Sequence, residues 1–276
     1  MLEPSSESYP EATAPDALTV EQAIANLQHE DLSLRYYAAW WLGKFRVTDP
    51  AAVSALIAAL EDEADRTELG GYPLRRNAAR ALGKLGDRRA VPGLMGCLTC
   101  EDFYVREAAA LSLGMLGDPE PIPALMNLLE GGVAAAQLVP GRPHLVQPYE
   151  AVLEALGAIK ATQAIDLIQP FVEHPTPRVQ YAAARAMYQL TQEPVYGERL
   201  VQALQSNDVN LRRGAMADLG AIGYLPAAEA IASAATENSF KIFALKGLLE
   251  HQLNPEQPHS LSEGAIRVIA LMDMLL

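Results

Sequence analysis

Two cysteines, Cys97 and Cys100, are all that this 276-residue sequence holds. Such a pair cannot build a disulfide framework and fits a reducing compartment. Their CxxC spacing has no second pair and no histidine cluster beside it, so no metal site is expected. Basic residues are also short: 21 Lys and Arg against 34 Asp and Glu leave a net charge of −13. A protein that neutralises many phosphates needs a basic face, so nucleic acid and anionic lipid are disfavoured as partners. No run of eighteen uncharged apolar residues occurs, which argues against a membrane span. The opening stretch MLEPSSESYPEATAP has no basic region followed by an apolar one, so it does not read as a secretory signal. The expectation is a cytoplasmic protein with a disordered arm over residues 1–17. P-loop, GxGxxG, HExxH and GxSxG signatures are absent, which removes the enzyme classes those motifs mark. β-branched residues are few beside alanine and leucine, and that bias favours helix over sheet.

What the sequence does contain is a repeat. An apolar anchor, one or two polar residues, alanines, then a leucine and a small residue recur as LRYYAAWWLG from Leu34, LRRNAARALG from Leu74 and VREAAALSLG from Val105. PYEAVLEALG from Pro148, VQYAAARAMY from Val179, LRRGAMADLG from Leu211 and FKIFALKGLL from Phe240 continue the series. Anchor spacings are 40, 31, 43, 31, 32 and 29 residues, and the eighth residue after every anchor is Leu or Met. A second amphipathic stretch precedes most copies, as in AVSALIAALED at 52–62 and PIPALMNLLE at 121–130. Each unit therefore reads as two antiparallel helices, too small to bury an apolar face alone, and successive pairs stack. The fold expected is all-α: a HEAT-like α-solenoid of about seven helix pairs over 18–260. Residues 261–276 are expected to form a helix that caps the stack or docks on a partner. The two longest spacings come from insertions at 62–73 and 130–148, each at the turn between two paired helices, and extra loops on a solenoid commonly serve binding.

At 100° per residue, positions +2, +6 and +9 after each anchor fall on one face of the second helix, opposite the packed face. That open face should line a concave trough, with the small residue at +9 keeping it shallow. Tyr36 and Trp40 share it as an aromatic plate, while Tyr37 and Trp41 fall on the packed side and read as core. The alternative for Tyr36 and Trp40 is that all four rings cap the end of the stack. Further along, the stripe runs Arg76 and Arg80, Glu107, then Glu150. Arginine forks suit carboxylates, so rings, arginines and carboxylates in that order suit a flat, conjugated, dianionic ligand; a merely solvated charged face is the alternative. Tyr72, Tyr104, His144 and Tyr149 lie at or near the insertions and are further candidates. The only His-Glu pair, His29-Glu30, sits at a turn, which argues against an iron hydroxylase built on such repeats.

The phrases LTVEQAIANLQ, LRYYAAWWLGKF, DRTELGGYPLRRNAARALGKLGD, DFYVREAAALSLGMLGD and PHLVQPYEAVLEALG closely resemble the E subunit of the E/F-type phycocyanobilin lyases of cyanobacteria, from Leu18 onward. The resemblance implies a second HEAT-repeat subunit, F, as partner. It also implies attachment of phycocyanobilin, as substrate rather than cofactor, to a cysteine of the phycocyanin α-subunit through a thioether. The Asn-His-Cys-Gln-Gly-Asn motif of the isomerising relatives' F-type subunit is missing, so attachment without isomerisation is expected. In this setting Arg76 and Arg80 would take the propionates, Tyr36 and Trp40 would stack, and Glu107 or Glu150 would face the pyrrole nitrogens. Glu107, Glu150 and His144 are the acid–base candidates. A non-catalytic scaffold that binds phycobiliproteins during assembly or degradation is the competing class.

Overall fold

A computed structural model describes residues 18–253 and 260–276; the arm expected over 1–17 lies outside them. Among the described residues the chain is helical, with one isolated β-bridge between Leu138 and Leu145. The first helices of the pairs are α1 (Val20–Asn26), α3 (Pro50–Ala59), α5 (Val91–Cys97), α7 (Ile122–Asn127), α10 (Ile165–Ile168), α12 (Pro194–Ala203) and α14 (Ala228–Ser233). The second helices are α2 (Leu32–Lys44), α4 (Pro73–Leu85), α6 (Phe103–Leu116), α9 (Tyr149–Ala158), α11 (Pro177–Thr191), α13 (Val209–Ile222) and α15 (Asn238–Gln252). A short α8 (Gly132–Ala135) lies in the second insertion, and α16 (Glu263–Asp273) ends the chain against α14 and α15. Local signals set these bounds. Asp31, Asp49, Asp102 and Asp208 accept backbone N–H groups as N-caps, and Gly86, Gly117 and Gly223 end their helices in the left-handed region.

The second helices form the stack: α2 on α4, α4 on α6, α6 on α9, α9 on α11 and α13 on α15. Their close approach depends on the residue nine after each anchor. Sequence spacing places it on the open face; in the structure Gly43, Gly83, Gly157 and Gly220 are buried. A Cβ at Gly83 would lie 2.8 Å from Cα of Ser112, and one at Gly157 would lie 2.7 Å from Cα of Ala186. The glycine is therefore a backbone contact and not a lining of the trough. At α11 the same position is Tyr188, whose ring meets Tyr224 edge-on at 5.2 Å. There the stack opens. α11 and α13 touch over a smaller surface than the other neighbours, and the apolar core divides into one cluster ending at Met187 and another running from Ala184 to Val268.

The first pair also departs from expectation. Tyr37 is 46% exposed and Trp41 is half-buried, because the seven-residue α1 shields only part of α2. Trp41 still packs against the core beside Ala38, Ala39 and Leu42, and Tyr37 is the ring that turns to solvent. Tyr36 and Trp40 are both exposed, but no Tyr36–Trp40 plate forms: Trp40 pairs with Tyr37, centroids 5.4 Å apart, and Trp41 with Phe45 at 4.9 Å.

Candidate functional site

Both insertions are ordered by polar contacts that their own sequences supply. In the first, Asp65 is buried and its carboxylate accepts the Leu74 N–H at 2.8 Å, capping α4 from outside the helix. Arg35 pairs with Asp62 at 2.7 Å, and Arg75 donates to the Asp62 carbonyl at 2.6 Å. Asp102 caps α6 through Tyr104 N–H and reaches back to Tyr72 N–H, both at 2.8 Å. The second insertion is a short hairpin that turns at Gly141, where φ is +74°; Val139 donates to the His144 carbonyl at 3.0 Å. Arg106, from the first turns of α6, donates to Gln147 Oε1 and to the carbonyls of Val146 and Cys100 at 3.0, 3.0 and 2.6 Å. One guanidinium thus fastens the hairpin to the α5–α6 turn.

Between the two insertions and the start of α6 lie two adjoining cavities, about 530 and 310 Å³, within the ~300–1,000 Å³ usual for small-molecule clefts. Phe103, Tyr104 and His144 belong to both. His144 stacks on Phe103 at 4.1 Å, Tyr104 meets both rings edge-on, and Arg76 lies 5.9 Å from the Tyr104 ring. Arg76, from the first turn of α4, and Arg142, from the second insertion, line the larger cavity. The Nε of Arg76 is buried and has no hydrogen-bond partner. Glu107, Glu150 and Arg178 line the smaller cavity. Burial pushes the Glu107 and Glu150 carboxyls above the ordinary carboxylate range, against the pull of nearby Arg80 and Arg178 respectively, with Glu154 adding to the rise at Glu150.

Of the residues singled out from sequence, Arg76, Tyr104, Glu107, His144 and Glu150 therefore converge. Others do not serve as expected. Tyr149 is 2% exposed and its ring packs against Phe171 at 5.4 Å, so it is core at the cavity floor. Tyr72 lines the larger cavity but is buried; its hydroxyl donates to Glu101 at 2.9 Å and its ring is flanked by Arg75 and Arg66. Arg80 turns to Glu107 at 3.6 Å and lines neither cavity, which breaks up the Arg76–Arg80 clamp. Tyr36 and Trp40 also lie outside both. Phe103, Arg106, Arg142 and Arg178 escaped the sequence reading. Phe103 beside Tyr104 just after the Asp102 cap was one available signal; Arg106 and Arg178 flank the anchors Val105 and Val179 in α6 and α11, off the open face, and Arg142 sits in a hairpin with no period.

Downstream, the open faces are joined by ion pairs from helix to helix: Glu154 with Arg185 at 3.6 Å and Arg185 with Asp218 at 2.8 Å. Desolvation pushes the Asp218 carboxyl up to about 7 despite that arginine.

The model for PBS lyase HEAT-like repeats matches residues 34–62, and that for HEAT repeats matches 72–136 and 147–220. The phycocyanobilin lyase subunit alpha of Nostoc sp. (strain PCC 7120) is 73% identical over 277 residues, 100% of both chains. The chain belongs to the phycocyanobilin lyase subunit alpha family. A family structure, from the complex of CpcE and CpcF of phycocyanin lyase of the same organism, superposes with a TM-score of 0.90 at 73% identity, covering 99% of this chain and 100% of that one. The bilin biosynthesis protein PecE of Nostoc is more distant, 44% identical over 265 residues, 96% of this chain and 99% of its own. Family membership accounts for the all-α HEAT solenoid. Among the described residues no helix is long and apolar enough to cross a membrane, and no group of three His, Cys, Asp or Glu could hold a metal.

Proposed function

We propose that this chain is the alpha subunit of a heterodimeric bilin lyase, working with an F-type HEAT-repeat partner in the cytoplasm. It binds phycocyanobilin and attaches it by a thioether to a cysteine of the phycocyanin α-subunit, without isomerisation and with no resident cofactor. The observation that carries this reading is identity of 73% along the whole chain to a phycocyanobilin lyase alpha subunit. The insertion cleft gives the pigment a place. Arg76 and Arg142 face the two propionates, Phe103 and Tyr104 offer flat surfaces, and Glu107 and Glu150, whose carboxyls burial raises, face the pyrrole side. Arg80, Tyr36 and Trp40 have no part in this assignment. Catalysis here is chiefly orientation of pigment toward the incoming thiol.

Reconstitution tests it. Chain, F-type partner, acceptor and pigment together should yield an adduct that keeps its colour after denaturation, faster than pigment and acceptor alone. Omitting either subunit should return the rate to the spontaneous one. Pigment or acceptor binding without acceleration would establish a scaffold instead. The acceptor supplies the thiol, and burial pushes Cys97 up to about 11, which disfavours it as a nucleophile. Cys97→Ala with Cys100→Ala is expected to transfer pigment within a few-fold of the unaltered protein. Abolished transfer with an intact helical spectrum would instead reveal a covalent lyase–bilin intermediate.

A further inference from the structure

His144 is held in one orientation and one tautomer. Its ring lies 13° from parallel to Phe103 at a centroid distance of 4.1 Å, with Tyr104 edge-on at 5.9 Å. Its Nδ1 lies 2.8 Å from the Leu145 carbonyl oxygen. A carbonyl oxygen only accepts, so Nδ1 carries the proton. In the neutral imidazole Nε2 is then an acceptor with a free lone pair. The hairpin bearing this ring is pinned by Arg106 through Gln147 and Val146, and the ring is common to both cavities.

We infer that His144 Nε2 is the catalytic base that takes the proton from the acceptor's cysteine as its sulfur adds to the pigment. This rests on the lyase reading of the cleft. A free thiol is mostly protonated at neutral pH, so addition needs a proton acceptor at the site. The other ionisable groups there are poorly suited to accept it. Burial biases Glu107 and Glu150 toward the protonated form and so toward the donor's part, Asp102 is committed to two backbone N–H groups, and Glu101 accepts from Arg66 and Tyr72. Arg76, Arg106, Arg142 and Arg178 cannot serve as bases; their charge favours the forming thiolate. The step balances without oxidant or reductant. The S–H bond breaks and its proton passes to Nε2. The sulfur forms a bond to the ethylidene carbon while the π pair of that double bond moves into the pigment. Glu107 or Glu150 delivers a proton to the pigment, and the imidazolium returns one to that carboxylate through water.

The test uses the full heterodimer with acceptor and pigment, comparing the unaltered chain with His144→Gln and His144→Ala. The pigment's absorbance change on binding is expected to persist in both variants. Transfer at neutral pH should fall on the order of 100-fold. The deficit should shrink as pH rises and the acceptor thiol ionises unaided, and added imidazole should restore part of the His144→Ala rate. A purely structural role for the ring predicts a pH-independent loss with no rescue, and that result, or an unchanged rate, overturns the base assignment while leaving the lyase reading intact. No absorbance change with the unaltered heterodimer removes both.

Discussion

Arg76→Ala combined with Arg142→Ala should reduce pigment transfer on the order of a thousandfold while leaving helicity unchanged. Arg76 reaches the larger cavity from the first turn of α4 and Arg142 from the second insertion. Hydrogen bonds to charged groups contribute roughly 1.5–3 kcal/mol each, so losing two costs about 3–6 kcal/mol of pigment binding. Arg76 is already short of partners at its buried Nε, so a ligand carboxylate adds contacts there without displacing protein ones. Arg80→Ala serves as the contrast. Arg80 is exposed and pairs with Glu107 at 3.6 Å, a surface pair of about 1 kcal/mol or less, so its loss should change transfer by no more than a few-fold. Transfer rates measured by adduct absorbance, with circular dichroism for folding, decide the matter. If Arg80→Ala proves the more damaging variant, the pigment lies along the open trough and not in the insertion cleft.

Gly83→Val is expected to be among the most destabilising single changes away from that cleft. Any Cβ at position 83 lies 2.5–2.8 Å from Oγ, Cβ and Cα of Ser112. Relief requires α4 and α6 to separate or Ser112 to move, and Ser112 Oγ is committed to the Ala79 carbonyl at 2.8 Å within the core. Overpacking of this kind costs about 1–3 kcal/mol, and orphaning the buried hydroxyl adds about 1–3 kcal/mol. Gly96→Ala supplies the control. Gly96 is helical and exposed, with nothing within 4 Å of an added Cβ, so alanine should gain up to ~1 kcal/mol. Urea denaturation of the two variants should move the midpoint in opposite directions. A Gly83→Val chain as stable as the unaltered one would mean that the second helices are not in backbone contact.

The architecture was legible because it is periodic. An anchor every 29 to 43 residues and a Leu or Met eight positions later mark each second helix in the sequence, and each such helix forms. The faces were read less well. Position +9 holds glycine in five of the seven copies. Geometry on a single helix turns that glycine outward, whereas its actual neighbour is the next helix, which one helical wheel does not contain. Tyr149 was nominated for lying near a loop, yet it follows its anchor by one residue and so borders the packed face; the wheel already argued for burial. Arg142 and Arg106 could not be found this way. One sits in an aperiodic hairpin, and the other acts on a loop 40 residues away.

A stack in which every unit touches only its neighbours comes apart at its least adhesive joint. Tyr188 marks a change in that stack, because α11 meets α13 over little surface and leans on α12 instead, where a glycine elsewhere lets two backbones meet. The insertion cleft lies wholly on the N-terminal side of that seam. Heat that first unravels the last two pairs should therefore leave the insertion cleft standing, and a ligand held there should stay bound after the far end of the molecule has melted.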